Sequence, residues 1–158
     1  MPKKLPSKYI TQGFVPTNCI ANQGLIYLEQ ADVAITKGDA VFDDGNGYAT
    51  NVGTAFAATF RGIAAVSKDN SGGNDGDTDI AIIPAKTDIQ YWVKDSVQLL
   101  AQTAIGTLVD LGDNDSIDSS DVSLVEWGFL IDDIDVSTGA VAANTQGFAL
   151  GRFQKTPQ

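Results

Sequence analysis

Aspartates are the residues of this chain whose type and spacing offer the most chemistry. Eighteen of the twenty acidic residues are Asp, and eight of these lie in two polar loops, residues 69–79 and 113–121. Clustered carboxylate oxygens are ligands that Ca²⁺ prefers. The second loop departs from the helix-loop-helix calcium pattern, because counting from Asp113 places Asp118 where Gly is required and Leu124 where Glu is required. Calcium binding therefore stays open here only as an alternative.

The sequence offers few of the residues that other catalytic arrangements require. The chain has no His and a single Cys, Cys19, with no activating base beside it in the sequence. Asp132 and Asp133 could offer two carboxylates for glycoside hydrolysis, but adjacent residues of a strand point to opposite faces. No nucleophile elbow, phosphate-binding loop or dinucleotide fingerprint occurs. The sequence predicts no enzyme, no catalytic residue, no metal site and no cofactor.

Charge narrows the classes of partner. The formal net charge is −10 and the sequence pI is about 4.1, which argues against nucleic-acid binding and against adsorption to anionic membranes. Between Asp95 and Gly151 there are ten acidic residues and no Lys or Arg, whereas both ends of the chain are basic. This separation fits either a solubilising acidic surface or a basic arm that contacts an acidic flank of another copy.

The elements that must position these residues are short strands. Asp and Gly favour turns over helix interiors, and apolar runs of strand length recur between them. Residues 43–47 (DDGNG) give a strong hairpin signal, Gly62 marks a bulge or close backbone approach within the strand 60–66, and residues 97–104 are compatible with a short helix. About ten short strands predict an all-β fold, an antiparallel β-barrel or sandwich. Two aromatic pairs could line a sugar-binding face, but their strand context favours core packing: Tyr91-Trp92 and Trp127-Phe129.

The chain divides into an extended N-terminal arm, residues 1–23, and a single β domain, residues 24–158. Three prolines interrupt the arm, its three lysines lie near the start, and apolar residues are spaced along the rest. Such a segment suits docking on a neighbour by strand addition or groove binding, and equally an ordinary first strand of its own domain. The candidate partner-binding residues of the arm are Lys3, Lys4, Lys8, Tyr9, Ile10, Phe14 and Val15.

Several segments resemble small capsid-decoration (cement) proteins of tailed bacteriophages. The resemblance covers residues 25–153 and is carried by four segments, residues 33–41 (VAITKGDAV), 60–66 (FRGIAAV), 105–111 (IGTLVDL) and 147–153 (GFALGRF). It implies a small β-barrel that does no chemistry, binds the outside of the capsid and stabilises the joints between major capsid subunits. The implied partners are the major capsid protein and neighbouring copies in a homotrimer, on virions assembled in the host cytoplasm.

Two other functions remain open. One is a phage tail or fibre module, which is also all-β and oligomeric but present in few copies. The other is a carbohydrate- or calcium-binding β module, which predicts that a ligand raises the melting temperature.

Overall fold

The computed structural model describes residues 13–17, 24–53, 56, 59–96, 102–122, 126–135 and 147–156. These residues form an all-β fold, as predicted, with one short 3₁₀ turn at Gln102–Ala104. The strands are β1 (Val15–Pro16), β2 (Ile26–Glu29), β3 (Ala34–Ile35), β4 (Ala40–Asp43), β5 (Ala49–Thr50), β6 (Phe60–Ala64), β7 (Lys68–Asp69), β8 (Asp79–Pro84), β9 (Gln90–Asp95), β10 (Leu108–Asp113), β11 (Ser116–Asp118), β12 (Trp127–Ile134) and β13 (Phe148–Lys155).

Five strands close into a barrel. The pairing order is β9-β11-β10-β12-β13, and β13 pairs back onto β9. The β9–β11 pair is parallel and the other pairs of the barrel are antiparallel. β1 and β11 divide the second edge of β9 between them, because β1 pairs at Tyr91 and Trp92 whereas β11 pairs at Lys94 and Asp95. The described edges of β9 are thereby used along most of its length.

A second, five-stranded sheet runs β2-β8-β6-β4-β5 and is antiparallel throughout. Gly62 lies where β6 approaches β8 closely: its φ is 150°, and a Cβ there would overlap the Ile83 carbonyl oxygen. The predicted close approach at Gly62 is thus confirmed. A single bridge, Gln30 to Ala49, links the two outer strands of this sheet.

The main hydrophobic core joins the closed barrel to the second sheet. Phe153 of β13 lies among aromatic rings at centroid distances of 4.9 to 5.5 Å, those of Phe14, Phe56, Phe60, Tyr91 and Phe129. Ile63 of β6 and Ile83 of β8 belong to the same core, so one face of the second sheet packs against the barrel. The burial of Tyr91, Trp92 and Phe129 confirms core packing for these three aromatics, while Trp127 is partly buried and packs against the edge of the core.

A smaller core fills the second sheet on its other face, with Val41, Ile80 and Ile82 among its members. β8 is therefore covered on both faces, which explains its continuous apolar run at Ile80–Ile83 in place of an alternating pattern.

Two sequence predictions are changed by the structure. Of the arm predicted at residues 1–23, residues 13–17 are described, and β1 within them pairs with β9. The predicted acidic loop after Gly112 contains a strand, β11. Of the possible helix at residues 97–104, the described part is the 3₁₀ turn and its flanking residues, and residues 97–101 lie outside the described part of the chain.

Candidate functional site

A groove opens between β2 and the turn that joins β4 to β5. Its cavity measures about 200 Å³. Ile26 and Leu28 line one side and residues 47–49 the other, and Phe42 with the Asp43 and Arg61 side chains completes the lining. The site is thus mostly apolar, with one pair of opposite charges.

The shape of the groove follows from how the two outer strands of the second sheet meet. At one end they are held together by the Gln30–Ala49 bridge and by a hydrogen bond from the Ala31 N–H to the Ala49 carbonyl, 2.9 Å long. Away from that bridge, β5 leads back into the hairpin turn whereas β2 continues along β8. The gap between them widens into the groove.

The hairpin turn that forms one wall is fixed by two aspartates. The Asp43 carboxylate accepts from the Gly45 N–H at 2.8 Å, and the Asp44 carboxylate accepts from the Asn46 N–H at 2.8 Å and the Tyr48 N–H at 3.1 Å. Donation from Asn46 and Tyr48 lowers the pKa of Asp44. The hairpin predicted from residues 43–47 is confirmed, and its side-chain-capped turn makes this wall a well-defined one.

The ion pair in the lining joins Arg61 Nη2 to Asp43 Oδ2 at 2.9 Å. The Arg61 guanidinium is the main cause of a lowered pKa for Asp43, with the Gly45 N–H second. Asp43 is therefore ionised at neutral pH and is unsuited to general acid catalysis there. This arrangement is suited to binding a ligand, because it combines an apolar cavity, a strand edge and the Arg61–Asp43 ion pair.

The closed end of the groove abuts the acidic loop that precedes β8. Gly76 of this loop lies against the Tyr48 ring and the Glu29 carboxylate, since a Cβ on Gly76 would meet Tyr48 Cε1 at 3.2 Å and Glu29 Oε2 at 3.5 Å. The Gly76 N–H donates to the Gln30 carbonyl at 2.9 Å. Negative charge therefore concentrates at this end of the groove.

Several aspartates of the two acidic loops bond to groups within their own loop or on neighbouring strands and turns. Asp69 accepts from the N–H and hydroxyl of Ser71, and Asp118 accepts in the same way from Ser120. Asp75 accepts from the Asp32 N–H at 2.9 Å, and Asp115 pairs with Lys94 at 2.9 Å. Within the described residues no three His, Cys, Asp or Glu side chains come together as a metal-binding group.

Four aspartates are buried away from the groove, Asp39, Asp95, Asp110 and Asp135. For two of these, Asp39 and Asp110, burial is the largest influence on the pKa and raises it. Asp110 accepts from the N–H groups of Phe56 and Leu111, both at 2.7 Å, while Asp39 accepts from the Thr36 N–H at 2.9 Å. These hydrogen bonds hold the backbone at residues 36, 56 and 111, which gives the Asp39 and Asp110 carboxylates a structural role.

The residues predicted to bind a partner divide into two groups. Phe14 is 1% exposed and its ring contacts the main core, while Val15 packs in a separate buried cluster on β9 and β13. The structure thus corrects the partner-binding role of these two residues, since their side chains are already covered by their own domain. The other five lie outside the described residues, and their role stays a prediction: Lys3, Lys4, Lys8, Tyr9 and Ile10.

The groove itself was not predicted from the sequence. Residues 25–28 form an apolar run that correctly indicates a strand, but the run does not show that Tyr27 is 69% and Ile26 39% exposed. The one available signal was the shortness of this run beside a strong hairpin, which suits an edge strand.

Comparison of the chain with models of known protein families, with curated proteins and with solved structures gave no match. Among the described residues, no helix has the length and apolar character needed to cross a membrane.

Proposed function

We propose that this protein is a non-catalytic structural protein that decorates the outer surface of a phage capsid and stabilises the joints between major capsid subunits. The observation that carries the proposal is the use of the acidic side chains. In the described loops and turns, Asp43, Asp44, Asp69 and Asp118 cap backbone N–H groups and Asp115 forms an ion pair, and no three acidic, His or Cys side chains of the described residues come together. The resemblance of four segments to decoration proteins is the reason for proposing a phage capsid as the particle.

The physical properties of the domain support this proposal. A closed barrel with a continuous aromatic core resists deformation, which suits a protein that must brace other subunits. Weak contacts made by many copies on a symmetric lattice also sum to strong attachment. A strongly acidic surface limits association between whole particles.

Attachment to the shell or to a neighbouring copy is assigned to the part of the arm that precedes the domain. Lys3, Lys4 and Lys8 supply positive charge, and Tyr9 and Ile10 supply apolar anchors. Phe14 and Val15 are excluded from this role because they are buried in the domain. Deleting residues 1–16 would remove both from the core, so substitutions are the better test.

The first experiment measures the copy number of this chain against the main shell protein in purified particles. A ratio of one copy for each shell subunit, or for each few, supports a lattice-covering role. A handful of copies in each particle would move the protein to the tail, and its absence would contradict the proposal and favour ligand screening.

The second experiment adds purified protein to shells that lack it. The full chain should bind, whereas Lys3→Glu/Lys4→Glu/Lys8→Glu should lose most binding without a change in melting temperature. The matched control is Lys37→Glu/Lys68→Glu/Lys86→Glu, which reverses three exposed basic residues of the domain. Equal binding of both variants would remove the arm from the mechanism.

A further inference from the structure

We propose that the groove beside β2 binds residues 1–12 of a second copy of this chain. In this arrangement the incoming segment adds to the open edge of β2, and an apolar side chain, Tyr9 or Ile10, fills the cavity. The proposal concerns contacts between copies and does not depend on a phage shell.

The first argument is the open strand edge. In the described part of the chain, β2 pairs with β8 along one edge, and the bridge after its end, at Gln30, is what joins its other side to β5. Every second residue of a strand directs its N–H and C=O groups away from a given neighbour. An exposed edge with apolar residues such as Ile26 and Tyr27 is a site for pairing with another chain.

The second argument is the size of the cavity. Its volume of about 200 Å³ lies below the roughly 300–1,000 Å³ of ordinary small-molecule sites. It is equivalent to about seven water molecules at ~30 Å³ each. One bulky side chain attached to a bound strand fits this volume better than a cofactor does.

The third argument is the separation of charge along the chain. All twenty acidic residues lie among the described residues, which hold seven of the ten basic ones. The remaining three are Lys3, Lys4 and Lys8, and residues 1–12 contain no acidic residue. Glu29 and Gly76 of the acidic loop lie beside the Tyr48 ring, which lines the groove, and Asp44 accepts from the Tyr48 N–H. A basic segment therefore complements this surface.

The fourth argument concerns two positions on the domain, the point at which residues 1–12 join it and the groove. Gly13 packs against Gly38, and the Phe14 N–H donates to the Gly38 carbonyl at 2.8 Å. Gly38 precedes the first residue of β4, whereas Asp43 of the groove is the last residue of that strand. The segment and the groove are thus different parts of the domain surface, so its docking on a second copy would be a heterologous contact, which closes into a ring or extends as a filament.

Single-cysteine variants test the contact directly. In a Cys19→Ser background each variant carries one Cys, so every disulfide joins two chains. We expect a mixture of Ile10→Cys and Ile26→Cys to form a disulfide-linked heterodimer under mild oxidation, well above a mixture of Ile10→Cys with Val122→Cys. Val122 is 65% exposed and lies outside the groove.

Other results of this experiment would overturn the proposal. If the mixture of Ile10→Cys and Ile26→Cys gives no more heterodimer than the mixture with Val122→Cys, the contact between copies is excluded. A segment that folds back on the groove of its own chain would give this result. Preferential disulfides between two Ile26→Cys chains would indicate pairing of β2 with β2 across a two-fold axis instead.

Sedimentation of the full chain in solution gives the second test. Ile26→Lys, which places a cation in the groove, and Lys3→Glu/Lys4→Glu/Lys8→Glu should each weaken self-association at least about tenfold, equivalent to about 1.4 kcal/mol. High salt should weaken the wild-type association as well. A monomeric wild-type chain, or variants that associate normally, would contradict the inference and leave the capsid proposal to its own binding assay.

Discussion

The edges of the two large sheets of this molecule are paired to different extents. In the barrel, β13 pairs with both β12 and β9, and β1 and β11 share the remaining edge of β9. In the second sheet, one bridge between Gln30 and Ala49 is what joins the outer strands in the described residues. The comparison teaches that closure provides rigidity in one region, while incomplete closure leaves an open strand edge in the other.

The largest expected effect falls on the closed barrel. Phe14→Ala should destabilise the domain by about 3–5 kcal/mol, because it leaves a cavity among aromatic rings of the main core. Urea unfolding measures the loss. Val122→Ala, at an exposed position, should change stability by no more than about 0.5 kcal/mol. A small effect of Phe14→Ala would return this residue to the docking arm.

The next effect tests the pairing of β6 with β8 in the second sheet. Gly62→Ala should cost about 3 kcal/mol or more, because a backbone carbonyl occupies the space of the new methyl group and φ is strained for Ala. Gly45→Ala in the hairpin turn shares the positive φ but has open space, so it should cost only about 1–2 kcal/mol. Thermal unfolding of both variants compares them, and equal losses would mean that crowding at Gly62 is relieved.

A smaller effect depends on pH. Burial raises the pKa of Asp110 above its ordinary 3.8 in the folded chain. Between those two pKa values the folded chain binds more protons than the unfolded chain, so stability falls as the pH rises through this window. Asp110→Asn keeps the acceptor oxygen and removes the charge. It should therefore raise the urea midpoint at pH 7, and this gain should shrink on acidification toward pH 3.8.

Asp69→Asn is the matched control of opposite sign. Hydrogen bonds from Ser71 lower the pKa of Asp69, so its carboxylate stabilises the fold above the unfolded pKa and loses that contribution as the pH falls. The substitution should lower stability at pH 7 and lose its effect in acid. The same pH profile for both Asn variants would contradict the assignment of burial as the dominant influence on Asp110.

The smallest expected effect is at the groove. Arg61→Ala removes an exposed ion pair with Asp43, and such pairs contribute about 0–1 kcal/mol. The free energy of unfolding should therefore hardly change, since the hairpin turn keeps its own backbone hydrogen bonds. A loss above about 2 kcal/mol would show that the pair supports the second sheet as well as lining the groove.

The predictability of this fold differs between local and long-range features. The hairpin at residues 43–47 and the close approach at Gly62 follow from local composition. Pro84, which has no N–H to donate to a neighbouring strand, lies at the end of β8, beyond the last residue that β2 reaches. These features are encoded within a few residues.

The features that were missed depend on distant parts of the chain. β11 consists of Ser116–Asp118 in an acidic stretch, and it is a strand because it pairs with β10 and, in parallel, with β9. Phe14 was grouped with an arm because prolines interrupt the stretch around it, whereas the rings that bury it are more than forty residues away in sequence. The groove likewise needs the two outer strands of a sheet to meet, which no local pattern specifies.

The pairing of β13 with two strands also fixes when the barrel can form during synthesis. β13 follows every other described strand in the sequence, and it supplies Phe153 to the middle of the aromatic core. Until residues 148–155 leave the ribosome, β9 and β12 each lack a neighbour and their core faces stay open. A nascent chain shorter than this therefore depends on protection from aggregation, and the final folding step follows translation of β13.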